Sequence, residues 1–397
     1  MKKLIIFMFF ISISVSFSQW EQKSRGLLGL EKLVKEFAVS DGNIYACSYS
    51  GIYLSTNMGE MWKLVGFYEK IPWTLAVIDD KIFVGLGTEV YLSTDMGKTW
   101  LNKSKGLTKE IHFIEEFLVI GNNIFIGTGE GIYLTTNNGD NWIAKNNGLD
   151  AEKRWVTCLS KIGDNIFAGT WGSGIYVSSD MGNNWVPRLV TTTGDQSSLH
   201  VWDIKSNGNK LFTVVSPGKV YLSTDLGVSW VNRSEGLPQS EESTLFVYKD
   251  YLFSAHLYGP NVYVSTDDGQ TWILKNEGLK TDPYANNVYS FAAIDDYVFV
   301  GDSYGICRAK LSDLVSDIKD NSSNTADIDF YPNPASDYIN VPAYLGWQYQ
   351  IYDLLGNCII SGLIDSESIN VSALSAGFYT IRIYKEGKQF VGKVMKQ

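Results

Sequence analysis

The chain has 397 residues, of which 45% are hydrophobic, 14% aromatic and 19% charged, and its formal net charge is −10 at pH 7. This composition excludes a disordered chain, a collagen and a coiled coil. The excess of acidic residues argues against binding to nucleic acid or to an anionic membrane surface, so no nucleic-acid partner is predicted. The length allows two or three domains.

The first 18 residues have the pattern of a secretory signal peptide. Two lysines precede a short apolar run, residues 4–10. The small residues Ser16 and Ser18 occupy the −3 and −1 positions of a signal-peptidase cleavage site. An uncleaved anchor helix is the alternative, but the apolar run is short and no second one follows it. We therefore predict cleavage before Gln19 and export of the remaining chain.

A repeat of roughly forty residues runs through most of the chain. Its most regular part is a box that reads Ser/Thr, any residue, Asp/Asn, any residue, Gly, two residues and Trp. The Asp or Asn side chain is expected to accept backbone N–H groups and close a turn, the Gly to take a positive φ, and the Trp to pack between sheets. The six boxes end at Trp62, Trp100, Trp142, Trp185, Trp230 and Trp272.

Alternating apolar residues around each box predict four short strands per repeat, which is typical of a propeller blade. A seventh copy, residues 297–308, lacks a box, whereas residues 20–27 match the segments that follow the boxes. We therefore predict an all-β fold in which residues 19–311 form a seven-bladed β-propeller closed by the N-terminal strand. An open solenoid is the alternative.

These boxes resemble the Asp-box, or BNR, repeats of sialidase-like, sortilin-like and xyloglucanase-like propellers. The resemblance covers the whole predicted ring and implies the fold. It implies little about chemistry, because in that family the boxes lie on outer hairpins away from the central site. Asn57 and Asn137 replace the family's Asp, which keeps the turn but removes the charge. We predict no metal site, since the three histidines lie at no ligand spacing, and no cofactor.

The composition changes after Leu311, and the polar residues 312–326 are predicted to form a linker. The pattern of residues 327–397 predicts about seven short strands in a small C-terminal β-sandwich. The Tyr-Pro-Asn-Pro opening, the Ile-Tyr-Asp-Leu-Leu-Gly segment, the Gly-Phe-Tyr step and the Lys-Val-Met-Lys ending closely resemble the type A C-terminal sorting domain of the type IX secretion system. The resemblance implies the outer-membrane secretion machinery as a partner of residues 327–397. It also implies secretion from, or display on, the outer surface of a Gram-negative bacterium.

Several aromatic residues fall on the predicted innermost strands, which line the channel of a propeller, or on the loops beside them. Aromatic rings at a channel mouth suit the apolar C–H faces of sugars. The alternative is that the rings fill a tapered core, since aromatic residues favour strands in any case. The predicted ligand-binding residues are Trp73, Trp155, Trp171, Trp202, His200, Tyr258 and Tyr304.

A glycoside hydrolase needs two positioned carboxyl groups, one of them with a raised pKa. Asp203 is the best-placed candidate on a predicted innermost strand. Glu116 is a weak candidate for its partner, with Glu110 and Glu115 as further choices. The chain has 43 acidic residues, so some such pair is expected by chance.

A sialidase is not predicted, because three arginines would have to clamp the substrate carboxylate. Only Arg154 and Arg308 of the predicted ring lie outside its outer strands. The sequence therefore favours a secreted or surface-bound propeller that binds a glycan or a protein. The alternatives are a glycoside hydrolase of the xyloglucanase type and a structural or adhesive surface protein without catalysis.

Overall fold

Four-stranded antiparallel sheets dominate the part of the chain that the computed structural model describes. Contacts divide the chain into two units, Met1–Val315 and Ser316–Gln397. The predicted signal peptide lies outside the described residues except for Ser18. No helix within the described ranges is long and apolar enough to span a membrane. The described residues are 18–28, 32–152, 154–188, 199–238, 243–256, 261–280, 287–322, 325–327, 332–341, 344–353, 358–385 and 388–397.

The strands of the first unit follow one another at short intervals. In chain order they are β1 (Glu21–Gln22), β2 (Val34–Ser40), β3 (Asn43–Ser48), β4 (Gly51–Ser55), β5 (Lys63–Gly66), β6 (Thr74–Ile78), β7 (Lys81–Leu86), β8 (Glu89–Ser93), β9 (Leu101–Asn102), β10 (Ile114–Ile120), β11 (Asn123–Thr128), β12 (Gly131–Thr135), β13 (Ile143–Ala144), β14 (Val156–Ile162), β15 (Asn165–Thr170), β16 (Gly174–Ser178), β17 (Val186–Arg188), β18 (Val201–Asn207), β19 (Lys210–Val215), β20 (Lys219–Ser223), β21 (Val231–Asn232), β22 (Ser243–Tyr248), β23 (Tyr251–His256), β24 (Asn261–Ser265), β25 (Ile273–Leu274), β26 (Val288–Ile294), β27 (Tyr297–Asp302) and β28 (Gly305–Lys310). A 3₁₀ turn, Lys109–Ile111, precedes β10.

Consecutive groups of four strands form the first six sheets, from β2–β5 to β22–β25, and β1 joins β26–β28 to make the seventh. The innermost strand of each sheet packs against that of the next sheet, and β26 packs against β2. The result is an all-β, propeller-like arrangement. Neighbouring sheets approach closely where the second strand carries glycine: a Cβ on Gly127 would lie 2.8 Å from Val156 of the next sheet.

The N-terminal segment supplies the outermost strand of the seventh sheet, as the matching sequence of residues 20–27 predicts. β1 pairs antiparallel with β28, and Glu21 faces Arg308 in the register. Trp20 is 1% exposed, so the segment is anchored by a buried ring as well as by backbone hydrogen bonds.

The repeated boxes form one kind of hydrogen-bonded turn. In the second box, Ser93 Oγ accepts the N–H of Gly97 at 2.8 Å and donates to Asp95 Oδ1 at 2.8 Å. Asp95 Oδ1 also accepts the N–H of Thr99, four residues further on, at 2.9 Å. The residue before the glycine shares the positive φ expected for the glycine alone, with Met96 at 60° and Gly97 at 85°. Two successive left-handed residues reverse the chain within one short turn.

The box tryptophans tie neighbouring sheets together through their indole N–H groups. Trp62, Trp142, Trp185 and Trp272 each donate to a carbonyl oxygen that follows the outermost strand of the preceding sheet, at 2.7–2.8 Å; the acceptors are Lys23, Lys103, Lys145 and Arg233. Trp100 reaches the first sheet at Val65 O, 3.2 Å away. Trp100 also donates to Gly97 O within its own turn, at 3.1 Å, and Trp230 donates to the matching Gly227 O at 3.1 Å.

The segment predicted as a linker, residues 312–326, begins as a helix, α1 (Leu311–Ser322). Leu311, Leu314 and Val315 are buried at the spacing of one helix face, while Ser312, Asp313 and Ser316 are exposed. Because most residues of the segment are polar, its composition concealed this short amphipathic pattern.

Two sheets of the second unit share one apolar core, which includes Ile339, Ile351, Ile369 and Ile381. The larger sheet has the order β29-β35-β34-β31-β32, and the smaller pairs β30 with β33. The strands are β29 (Thr325–Asp327), β30 (Tyr338–Asn340), β31 (Gln348–Tyr352), β32 (Cys358–Leu363), β33 (Ser368–Asn370), β34 (Gly377–Lys385) and β35 (Lys388–Lys396).

Candidate functional site

A pocket of about 420 Å³ lies among the innermost strands of the first unit. All seven innermost strands, or the residue directly before them, contribute to its lining. Five of these strands carry a bulge where they meet the pocket, for example between Val201 and Asp203 of β18. A bulge re-aims side chains, and pairs of consecutive residues therefore line the pocket, such as Lys35 with Glu36 and Trp202 with Asp203.

The structure brings four of the predicted ligand-binding residues together, since Trp73, Trp155, Trp171 and Trp202 all line this pocket. His200 stacks on Trp171, with 4.1 Å between the ring centroids.

The two predicted tyrosines are not part of this group. Tyr304 lies in the turn after β27, where Lys280 Nζ is 4.6 Å from its ring, and it does not line the pocket. Tyr258 lies outside the described residues.

Glu115 links two of the tryptophans. Its carboxylate accepts the indole N–H of Trp73 at one oxygen and that of Trp155 at the other, both at 2.9 Å. Burial raises the pKa of Glu115, while the two indole hydrogen bonds and the charge of Lys35 oppose the rise. Lys35 Nζ itself lies 4.2 Å from the centre of the Trp73 ring, within cation–π range. The two indoles and the ammonium group are thus fixed relative to one another before any ligand arrives.

Asp203 and Glu116, the predicted catalytic candidates, both line the pocket and share Lys205. Lys205 Nζ lies 2.8 Å from Asp203 Oδ1 and 3.5 Å from Glu116 Oε1. The second oxygen of each carboxylate accepts a backbone N–H from the next sheet, that of Leu245 at 3.0 Å for Asp203 and that of Leu159 at 2.7 Å for Glu116. This geometry joins neighbouring innermost strands and uses both oxygens of each carboxylate.

The ionisation of this cluster is shifted by burial and by its neighbours. Burial alone would lower the pKa of Lys205, but the charges of Asp203 and Glu116 outweigh it and raise that pKa. Burial raises the pKa of Glu116, although Lys205 opposes the rise. Burial, and then the charge of Glu116, raise the pKa of Glu36 to about 8. The pocket therefore holds a carboxyl group that stays protonated at neutral pH.

The sequence reasoning missed Lys35, Glu36 and Lys205. Lys205 could have been found from Asp203, because residues two apart on a strand point to the same face. Lys35 and Glu36 could not, since a regular strand would have aimed only one of them at the pocket and the sequence gives no clear sign of the bulge.

His256 is the one fully buried histidine among the described residues, and both of its ring nitrogens already have hydrogen-bond partners. His256 Nδ1 lies 2.8 Å from Ser243 Oγ and its Nε2 lies 3.2 Å from Ser254 Oγ. Burial lowers the pKa of His256 to about 4, so the ring is neutral at physiological pH. Within the described ranges, no group of three or more His, Cys, Asp or Glu side chains is arranged to hold a metal ion.

The second unit is assigned by its sequence. Residues 329–397 match the family model of the secretion system C-terminal sorting domain. The C-terminal unit is a sorting domain. Such a domain implies secretion by the type IX system, contact with its machinery and attachment at the cell surface. Among proteins of curated function, none matches the sequence significantly.

Solved structures resemble the fold of this chain. YCF48 bound to a D1 peptide aligns with a TM-score of 0.56 and 17% identity, covering 75% of this chain and 98% of that one. A GH74 xyloglucanase from Xanthomonas campestris gives 0.55 and 15%, covering 75% of this chain and 54% of that one. The extracellular domain of a putative hybrid two-component system from B. thetaiotaomicron gives 0.59 and 12%, covering 96% and 58%. At these identities the likeness shows the propeller fold alone.

Proposed function

We propose that the protein is an exported propeller that binds a glycan in the pocket among its innermost strands. The observation that carries this proposal is the convergence of Trp73, Trp155, Trp171 and Trp202 on one pocket that also contains fixed charged groups. Indole rings pack against the apolar faces of sugars, and a few placed polar groups fix their orientation.

The number of blades and the closure of the ring are part of the same proposal. Seven four-stranded sheets, with β26 packed against β2, support a closed seven-bladed ring over residues 19–311. The repeated Ser/Thr–Asp/Asn–Gly–Trp turns support membership of the Asp-box group, with the boxes on the outer hairpins. A cleaved signal peptide, residues 1–18, and sorting through residues 327–397 would complete the route out of the cell.

A second candidate function is glycoside hydrolysis, favoured by the similarity to a GH74 xyloglucanase and by the protonated carboxyl group of Glu36. Against it, both carboxylates first considered for catalysis, Asp203 and Glu116, are held by Lys205 and by backbone N–H groups. A protein ligand is the alternative occupant, and a purely structural or adhesive role leaves the pocket empty.

The test incubates the purified full chain with insoluble preparations of xyloglucan, xylan, mannan, chitin and polygalacturonate. Retention on the polysaccharide and newly formed reducing ends are both measured. Retention without new ends, lost in Trp202→Ala and kept in Tyr338→Ala, supports a glycan-binding propeller. Tyr338 is a matched control because it is 53% exposed and lies in the sorting domain. New reducing ends would favour the hydrolase, and retention on none of the five would contradict glycan binding.

A further inference from the structure

The aromatic surface of the pocket continues beyond it as a row of four rings, here named the aromatic ridge: His112, Trp155, Trp171 and His200. Neighbouring ring centroids are 6.0 Å apart for His112 and Trp155, 6.3 Å for Trp155 and Trp171, and 4.1 Å for Trp171 and His200. Trp155 and Trp171 line the pocket, whereas the two histidines at the ends of the ridge do not. The ridge therefore extends the pocket wall in two directions.

Much of the ridge is open to solvent. Trp155 is 37% exposed, Trp171 is 41% exposed, and the His112 side chain is 60% exposed. Such exposure is costly for large rings, and a contiguous exposed aromatic surface marks a binding site more often than a packing defect.

Backbone hydrogen bonds hold the ridge in place. The N–H of Trp171 donates to Trp155 O at 2.8 Å, and Trp171 pairs with His200 in an isolated antiparallel bridge. The side chain of Trp155 is fixed by Glu115. Because the rings are already positioned, little side-chain conformational entropy is lost when a ligand covers them.

His112 adds an observation of a different kind, since its backbone is strained. It has φ 58° and ψ −76°, a combination that residues with a side chain rarely adopt. A glycine would relieve this strain, yet the chain carries an imidazole whose plane lies within 10° of the Trp155 indole. Burial of the imidazole does not account for this strain, because the His112 side chain is 60% exposed.

We propose that the aromatic ridge binds successive sugar units of a neutral polysaccharide chain, one part of which occupies the pocket. The inference rests on the proposed glycan-binding function and adds the class of ligand: an oligomer or polymer rather than a single sugar, and neutral rather than acidic. The pocket lining supports the second choice: Glu36 is protonated, but the acidic side chains Glu115, Glu116 and Asp203 still outnumber Lys35 and Lys205.

The test uses the neutral polysaccharide that the panel retains best, cut into a ladder from the single sugar to long oligomers. Affinities for each length are measured by calorimetry with the full chain. Affinity is expected to rise with length until the ridge is covered. His112→Gly should weaken binding of the long oligomers by roughly three- to tenfold and leave the shortest bound member unchanged.

Two further measurements separate a binding role from a structural one. His112→Gly removes the strain and should unfold at the same or a higher denaturant concentration than the natural chain, whereas a structural role would lower it. His112→Phe keeps a flat ring and should restore most of the affinity for long oligomers.

The outcomes distinguish this inference from the proposed function. If no polysaccharide is retained, glycan binding itself fails. If a neutral polysaccharide binds but affinity does not depend on length, or His112→Gly leaves the long oligomers unaffected, glycan binding stands and the ridge proposal is overturned. If polygalacturonate alone is retained, the neutral class is wrong.

Discussion

Lys205 Nζ and Asp203 Oδ1 lie 2.8 Å apart on one strand, β18, and both side chains face the pocket. Asp203 is 6% exposed, and its two carboxylate oxygens are occupied by Lys205 and by the N–H of Leu245. The pair resembles a structural bridge between the fifth and sixth sheets more than a reactive group awaiting substrate.

Replacing Asp203 with alanine is expected to destabilise the fold strongly. The change leaves the ammonium of Lys205, whose side chain is 31% exposed, with Glu116 alone and frees the N–H of Leu245. We expect a cost of about 3 kcal/mol, the lower end of the range for a buried pair. Urea denaturation followed by circular dichroism measures the loss. Asp164→Ala, at an exposed turn position, is the control and should change little. A loss below about 1 kcal/mol for Asp203→Ala would show that the bridge is not structural.

The raised pKa of Glu36 predicts that stability falls as the pH rises. The folded state keeps a proton on Glu36 up to a pH of about 8, whereas the unfolded chain loses it near 4.5. Stability contributed by this group is therefore full below 4.5 and decreases through the window up to about 8. Glu36→Gln cannot ionise, so its stability relative to the natural chain should increase across that window.

Denaturation curves on both sides of the window test this effect. Glu152→Gln, which makes the same change at an exposed position, serves as the control. The groups that face Glu36 are Glu116, Lys205 and Asp203. Equal stability differences for Glu36→Gln at low and high pH would contradict the assignment.

The lowered pKa of His256 predicts the opposite behaviour in acid. The unfolded chain binds a proton near 6.5, but the buried ring takes one only near 4. Stability is therefore lost as the pH falls from 6.5 to about 4. His256→Gln should lack this part of the acid sensitivity, as measured by the melting temperature against pH. The control is Gln270→Ala, which changes an exposed side chain without a titratable group and should leave the acid sensitivity in place.

Trp20 is expected to be a major anchor of the first unit. It is buried, and its Nε1 donates to Lys275 O at 2.7 Å, across the junction of the sixth and seventh sheets. Trp20→Ala should cost about 3–5 kcal/mol in the free energy of unfolding. Trp171→Ala is the matched control, since the same change at a ring that is 41% exposed should cost much less. Similar costs for both would mean that the N-terminal segment is not a closing element.

The repeat made the fold predictable from the sequence, because each box marks a turn and each Trp marks the start of an outer strand. The match between residues 20–27 and the segments after the boxes was enough to place β1 beside β28. The helix α1 was missed, since its apolar residues Leu311, Leu314, Val315 and Ile318 are few and stand among polar ones. So short an apolar pattern is easily lost in a polar stretch.

The site was predictable only in part. The four pocket tryptophans could be located because they begin innermost strands or lie beside them. The charged groups of the pocket could not be located in this way. They depend on bulges that turn neighbouring side chains such as Lys35 and Glu36 in the same direction. Likewise, the sequence cannot show that Glu115 is held between two indole N–H groups contributed by different sheets.

The pairing of β1 with β28 has a consequence for the order in which the protein is made. The first strand to leave the ribosome belongs to the last sheet, and its partner, Arg308, is synthesised 287 residues after Glu21. Lys275, whose carbonyl accepts the indole N–H of Trp20, is made 255 residues after Trp20, so this hydrogen bond also forms late. The first six sheets, β2–β5 to β22–β25, are complete in sequence before the seventh, which joins the beginning of the first unit to its end.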